Sequence, residues 1–218
     1  MSSLKPVVSE PRKAGRPRKA KVDASLDIRK AALKAFAHKG FHGASIAEIA
    51  RMAGVAKPLV HYHYASKDAL WEAAVEDAVA DMRAKIGHFQ QALTTSASTH
   101  DLLRAVSRQL VLFASSHPEL VQIVVDETGK GEARADWLRS NLLAPGYAMG
   151  KLLLEGLARN TGSKPPAVEH LVPLILGVMN FPFMDAQIVR DAYGVDVYSK
   201  DYVERHGEIL FQVLRSLL

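Results

Sequence analysis

From Ser25 to Leu217 the apolar side chains recur at steps of three and four, and no segment alternates apolar with polar over the length of a strand. That spacing confines the chain to helices, so the predicted fold class is all-α. The longest run is the clearest: Leu70, Ala74, Ala78, Met82, Ile86, Phe89 and Leu93 follow at near-constant four-residue steps, a single long helix beginning near Ser66. Upstream, Ile28, Ala32, Ala35 and Phe36 form one stripe over residues 25–39, which Lys39-Gly40 stops. Ser45 followed by Glu48 is a capping-box pattern, opening a second helix that carries Ile46, Ile49, Ala50 and Ala53 and ends at Gly54. A short third helix fits residues 56–62, and two short helices joined by a glycine-containing turn are a helix-turn-helix. The architecture expected is an N-terminal three-helix head ahead of a larger helical domain.

In that larger domain, Leu102, Leu103, Val106, Leu110 and Phe113 define a helix stopped at His117-Pro118, followed by a short helix near residues 119–128 and a loop at Gly129–Gly131. Another helix begins near Glu132, and Pro145-Gly146 either breaks or kinks it. Residues 171–184, LVPLILGVMNFPFM, carry no charge and are apolar on nearly every face. A membrane span needs about 20 such residues, and this run holds two prolines and is bounded by Glu169, His170 and Asp185, so it reads as a buried helix and no membrane partner is expected. Burial on all sides needs a second packing layer. Leu171, Leu174, Ile175, Val178 and Phe181, with Tyr202, Leu210 and Leu214 of the last helix, are the predicted homodimer interface, half of an intersubunit four-helix bundle.

Charge divides the chain more sharply than its net +5 suggests. Residues 1–22 hold seven basic side chains against Glu10 alone, residues 1–68 carry a net +9, and residues 69–218 carry −4. Three regions follow: a disordered basic arm over 1–22, a head over 23–68 and a helical body over 69–218. With 48% hydrophobic and 23% charged residues the chain can bury a core, and with no cysteine it has no disulfide, thiolate zinc site or cysteine nucleophile. The basic, polar N-terminus lacks the apolar stretch of a secretory signal, and a cytoplasmic location is expected.

A basic head invites a polyanion, and the third helix supplies the groups. If Val55, Leu59 or Val60, and Tyr64 face inward, then Lys57, Pro58, His61 and Tyr62 face solvent. Lys57 can donate to guanine O6 or N7, His61 can bond a base edge or phosphate, and Pro58 can pack on a thymine methyl. Tyr62, Ser66 and Lys67 fall where the phosphate backbone passes, the last two at a helix start whose amides favour an anion. Ser45 offers the same on the other side of the groove.

The stretch from Ile28 to Leu70 resembles the DNA-binding domain of the TetR/AcrR family of transcriptional regulators. The landmarks are Phe36…Gly40-Phe41, Ser45-Ile46, Ile49-Ala50…Ala53-Gly54-Val55 and Tyr62-His63-Tyr64…Lys67…Leu70. The resemblance implies that the third helix reads bases through Lys57, Pro58, Leu59 and His61, while Ser45, Tyr62 and Lys67 hold phosphates. Pro58, Leu59 and His61 depart from the Gly, the polar residue and the Tyr more usual there, so the resemblance does not carry over an operator sequence. It further implies a homodimer on a palindromic operator, a C-terminal domain that binds a small-molecule effector, and repression as the commoner mode. The arm's Gly15-Arg16-Pro17-Arg18-Lys19 resembles the core of an AT-hook, which would place Arg16 and Arg18 in an A·T-rich minor groove.

Candidate effector contacts are the larger side chains of the body: Phe89, Phe113, His117, Trp137, Tyr147, Met149, Met179, Phe183 and Met184. Pro182 would free a backbone carbonyl inside an apolar helix, a polar anchor for a ligand. No nucleophile elbow, phosphate-binding glycine loop or dinucleotide fingerprint is present, and the nine histidines lack metal-site spacing, so no catalytic residue, cofactor or metal is expected. The competing class is a helical ligand carrier or interaction module that keeps the head without sequence-specific DNA binding. The cations and Tyr62 argue for the regulator.

Overall fold

A computed structural model describes residues 19–94, 98–131, 133–162 and 167–217, with side chains at 19–23, 81–82, 85–94 and 160–161 outside the description. Among the described residues there are eleven α-helices and no strand. The head comprises α1 (Lys19–Gly43), α2 (Ile46–Met52) and α3 (Lys57–His63). The body follows as α4 (Lys67–Thr94), α5 (Thr99–Ser116), α6 (Pro118–Thr128), α7 (Ala133–Leu138), α8 (Ala144–Thr161), α9 (Val168–Met184), α10 (Ala186–Tyr193) and α11 (Lys200–Leu217).

The stop at Lys39-Gly40 is a kink rather than an end. Gly40 adopts φ +68°, a conformation that costs an L side chain dearly, and one further turn carries the chain to Gly43. Phe41 on that turn stacks on Phe36 with ring centroids 5.8 Å apart and is buried. At the start of α2 the Ser45 hydroxyl accepts from the Glu48 amide at 3.2 Å. The Glu48 carboxylate turns instead to Lys39 Nζ, 2.6 Å away, which binds α2 to α1.

Pro145 does not break the helical run. Residues 139–143 form one wider turn, in which the Ala144 amide donates to Arg139 O five residues back. Pro145 has no amide to give Asn141 O, and Arg83 of α4 reaches that carbonyl at 3.5 Å. Pro182 likewise frees Val178 O in α9. His206 Nε2 lies 2.7 Å from it and, since a carbonyl only accepts, carries the hydrogen. The polar anchor expected at Pro182 is therefore met inside the protein.

Two main apolar cores result. One runs from the head into the body, joining Ile28, Phe36, Ile49, Val60, Leu70 and Trp71 to Leu120, Ile123 and Leu138. The other packs α11 on α5, with Leu102, Leu103, Val106, Phe183, Leu210, Phe211 and Leu214 buried together. At Gly207 an added Cβ would stand 3.1 Å from Arg108 Cα, so the absence of a side chain there sets how closely these helices approach.

That packing corrects part of the predicted interface. Leu210 and Leu214 are buried within the protomer, because the apolar face of α11 is spent on α5 rather than turned outward, and Leu171 is buried beside Leu154 and Val172. Ile175 and Val178 are half-buried, and Tyr202 is half-buried with its ring stacked on His206. Leu174 and Phe181 stand out at 48% and 67% exposure, so α9 is buried along one stripe and open along the other, not enclosed on every side. No single described helix is long and apolar enough to cross a membrane.

Candidate nucleic-acid interface and ligand cavity

Helix α3 presents its outer face because three residues hold it from behind. Val60 is fully buried in the head core, and Val55 and Tyr64 pack against it at either end. Leu59 is half-buried. Lys57, Pro58, His61 and Tyr62 are exposed, Tyr62 at 68%, the highest value among the large hydrophobic residues of the head. Pro58 sits in the first turn, where its missing amide costs nothing. This places a cation, an imidazole and a phenol on one side of a seven-residue helix whose other side is fixed.

Tyr64 fixes the exit of that helix through contacts that local sequence does not reveal. Its hydroxyl lies 2.9 Å from Ser25 Oγ and donates to Ser25 O at 3.3 Å, while Arg29 Nη1 donates to it at 3.3 Å. Arg29 Nε also donates to Asp77 of α4 at 2.5 Å. Helix α3 is thereby referenced to α1 and α4 at once. Spacing within 25–29 hints at a helical pair, but nothing near residue 64 predicts its partner 39 positions away.

Ser45 and Ser66 are exposed and cap their helices, Ser66 Oγ accepting from the Ala69 amide at 3.0 Å. As acceptors in these caps, both hydroxyls keep a hydrogen to donate. Lys67 also has partners within the head. Its Nζ donates to His42 O at 3.4 Å and lies 4.6 Å over the Phe41 ring; loss of water lowers its pKa, and the Arg134 charge adds to the effect. It is tied to the end of α1. Arg16 and Arg18 lie outside the described residues.

Behind Phe41 the head meets the body through charge. The Arg134 guanidinium sits 3.7 Å from the Phe41 ring centroid, donates from Nε to Glu127 at 2.9 Å and reaches Asp68 at 3.4 Å. Arg134 and Glu127 are both buried. Asp126, one residue earlier, holds Lys130 at 2.6 Å beside Gly40. One face of α6 therefore presses on the kink of α1, while Val121 and Val124 line a cavity on the other. A sequence search for function passes over Glu127 and Arg134, which look like ordinary surface charges.

The body holds two neighbouring apolar cavities. The inner, about 120 Å³, is walled by α5, α8, α9 and Leu214; the outer, about 310 Å³, by α6, α8 and α9. Phe113 and Met179 line both, Met149 the inner, Tyr147 and Met184 the outer. The other candidates go elsewhere. Trp137 packs edge-on against Trp71 at 5.6 Å, His117 stacks on Phe113 at the α5–α6 corner, and Phe183 is buried against Tyr198 and His206. The Phe89 side chain lies outside the description. Most of the lining is aliphatic, which composition cannot tell from ordinary core. Among the described residues no cluster of three or more His, Cys, Asp or Glu is placed to hold a metal.

Fold and surface together define a helix-turn-helix head carried on a larger helical domain. Residues 28–74 match the model described as bacterial regulatory proteins, tetR family. The HTH-type transcriptional regulator RutR of Escherichia coli is 31% identical over 134 residues, 54% of this chain and 63% of the relative. The HTH-type transcriptional activator FasR of Mycolicibacterium smegmatis is 36% identical over 75 residues, 34% of this chain and 33% of the relative. The matched region thus spans between one third and just under two thirds of these relatives' length. The transcriptional regulator FadR from Bacillus subtilis, solved in complex with stearoyl-CoA, shares the fold with a TM-score of 0.65 at 15% identity, covering 88% of this chain and 98% of that one. The tetR family match lies in the head, over residues 28–74.

Proposed function

We propose that the chain is a homodimeric, sequence-specific DNA-binding transcriptional regulator, a repressor that a small molecule releases from a palindromic operator. The observation that carries this reading is the outer face of α3, where Lys57, Pro58, His61 and Tyr62 are exposed between capped helix starts at Ser45 and Ser66. A helix held from behind and polar in front is what a major groove accepts. Base readout goes to Lys57, Pro58, Leu59 and His61, and phosphate contact to Ser45, Tyr62, Ser66 and Lys67. Residues 1–22 act as the basic arm, 23–68 as the reading head and 69–218 as the sensing and dimerising body. The open stripe of α9, with Leu174 and Phe181, supports pairing with a second copy. A DNA-binding regulator works where the chromosome is, in the cytoplasm.

Effector control is supported by the paired cavities and by FadR, which was solved with stearoyl-CoA. The test is footprinting of the full chain on the region upstream of its own gene. Protection of two dyad-related half-sites supports the reading. Binding that ignores sequence, or none, would favour a helical carrier that has kept the head.

A further inference from the structure

The chemistry of the cavity walls narrows what the body can hold. The inner cavity has one polar lining side chain, Gln109, among residues such as Leu103, Val106, Leu157 and Val172. In the outer cavity Asn180 already donates to Leu176 O at 2.9 Å, and Tyr147 is 42% exposed at the rim. Among the described residues no Asp, Glu, Lys, Arg or His lines either space. A buried charge without a partner costs several kcal/mol, and a polar group without one costs about 1–3 kcal/mol, so whatever enters is uncharged and apolar along its buried length.

Shape adds a second restriction. The two spaces share four lining residues, Phe113, Gly146, Leu176 and Met179, and so adjoin at these four, the waist between them. The outer space reaches the surface at Val125, 52% exposed, while the inner ends against fully buried Leu154 and Leu157. Gly146 stands at the waist, and a Cβ added there would meet nothing within 4 Å. Its neighbour one turn on differs: a Cβ at Gly150 would stand 2.9 Å from Val172 Cγ2, so that glycine is required by helix packing. Gly146 has no such neighbour, and its missing side chain is open space.

Resting on the reading of the body as an effector domain, we propose that the two cavities form one bent site for a single unbranched alkyl or acyl chain, and that Gly146 gauges its length. The chain enters past Val125 and Tyr147, threads the waist and ends in the inner space. Any charged end remains in water at the rim. A rigid polycycle would fit the outer space but not turn through the waist.

The experiment uses the purified full chain without DNA, measuring thermal unfolding and calorimetric binding with octanol, hexadecanol, palmitate and palmitoyl-CoA. The long-chain probes should bind more tightly than octanol, and comparing the alcohol, acid and thioester shows which end group the rim prefers. Gly146→Leu should weaken hexadecanol about tenfold or more while leaving octanol binding within about twofold. Gly146→Ala, which adds one methyl, should show the same trend in smaller measure and keeps the test valid if the leucine variant misfolds. Binding that does not rise with chain length, or is unaffected at Gly146, overturns the proposal. If chains bind as expected but leave operator binding unchanged, the cavity assignment holds and effector control fails. If operator binding responds only to a compact or charged compound, effector control holds and the chain-shaped site is overturned.

Discussion

The buried charge pair between α6 and α7 gives the most quantitative prediction. Glu127 and Arg134 side chains are 2% and 10% exposed, with Nε and Oε2 2.9 Å apart. Arg134→Met keeps most of the side-chain volume but leaves the carboxylate buried without its partner, a change that costs about 3–5 kcal/mol. It also removes a cation from the face of Phe41, worth about 0.5–2 kcal/mol. Lys130 Nζ, 3.8 Å from the other Glu127 oxygen, offsets part of this. A net loss of about 3 kcal/mol follows, or a fall in Tm of about 6–12 °C at roughly 2–4 °C per kcal/mol. With both charges gone, Glu127→Met/Arg134→Met should lie within about 1 kcal/mol of the parent. Chemical and thermal unfolding of the four proteins forms a double-mutant cycle. Additive losses, or an Arg134→Met loss under about 1 kcal/mol, would refute the reasoning. The double variant should also bind DNA yet respond less to a cavity ligand, because the tie from α6 to Phe41 and Asp68 is cut.

Gly40→Ala forces a side chain into φ +68°, ψ 171°, a region essentially reserved for glycine, and to 3.1 Å from the Asp126 carboxylate, so it should lose about 1–3 kcal/mol in urea unfolding. Tyr64→Phe removes the hydroxyl shared with Ser25 and Arg29, a loss of about 1 kcal/mol; since α3 then loses its reference to α1 and α4, operator affinity should drop while the helical circular-dichroism spectrum is kept.

Much of the head was legible because its signals are local. Ser45 caps α2 within three residues, and the Ile49-Ala50 to Val55 turn needs only a glycine at positive φ and two apolar plugs. The exposed face of α3 followed from which of its seven residues were apolar. What escaped depends on partners far along the chain. Lys67 was legible as a cation at a helix start, but not its bond to His42 O or its place over Phe41, and Pro145 could not be read without Arg83, 58 residues from the carbonyl it serves. Trp137 and Phe183 carry the size and aromaticity of ligand contacts but fill cores, whereas aliphatic Leu176 and a bare Gly146 shape the cavity. The last helix misled for a related reason: an amphipathic stripe shows that a face is buried, not whether the covering layer is α5 or a second subunit.

The central claim is that α3 reads sequence through its exposed face. Fluorescence anisotropy of the full chain on its own upstream DNA and on a scrambled duplex, at one fixed salt concentration, tests it directly when the parent is set beside Lys57→Ala/Tyr62→Ala. The account predicts that the parent prefers its own site by about a thousandfold or more, and that the variant, with unchanged helicity and oligomeric state, falls to the affinity seen on scrambled DNA. A variant that still discriminates between the two duplexes as well as the parent would contradict it.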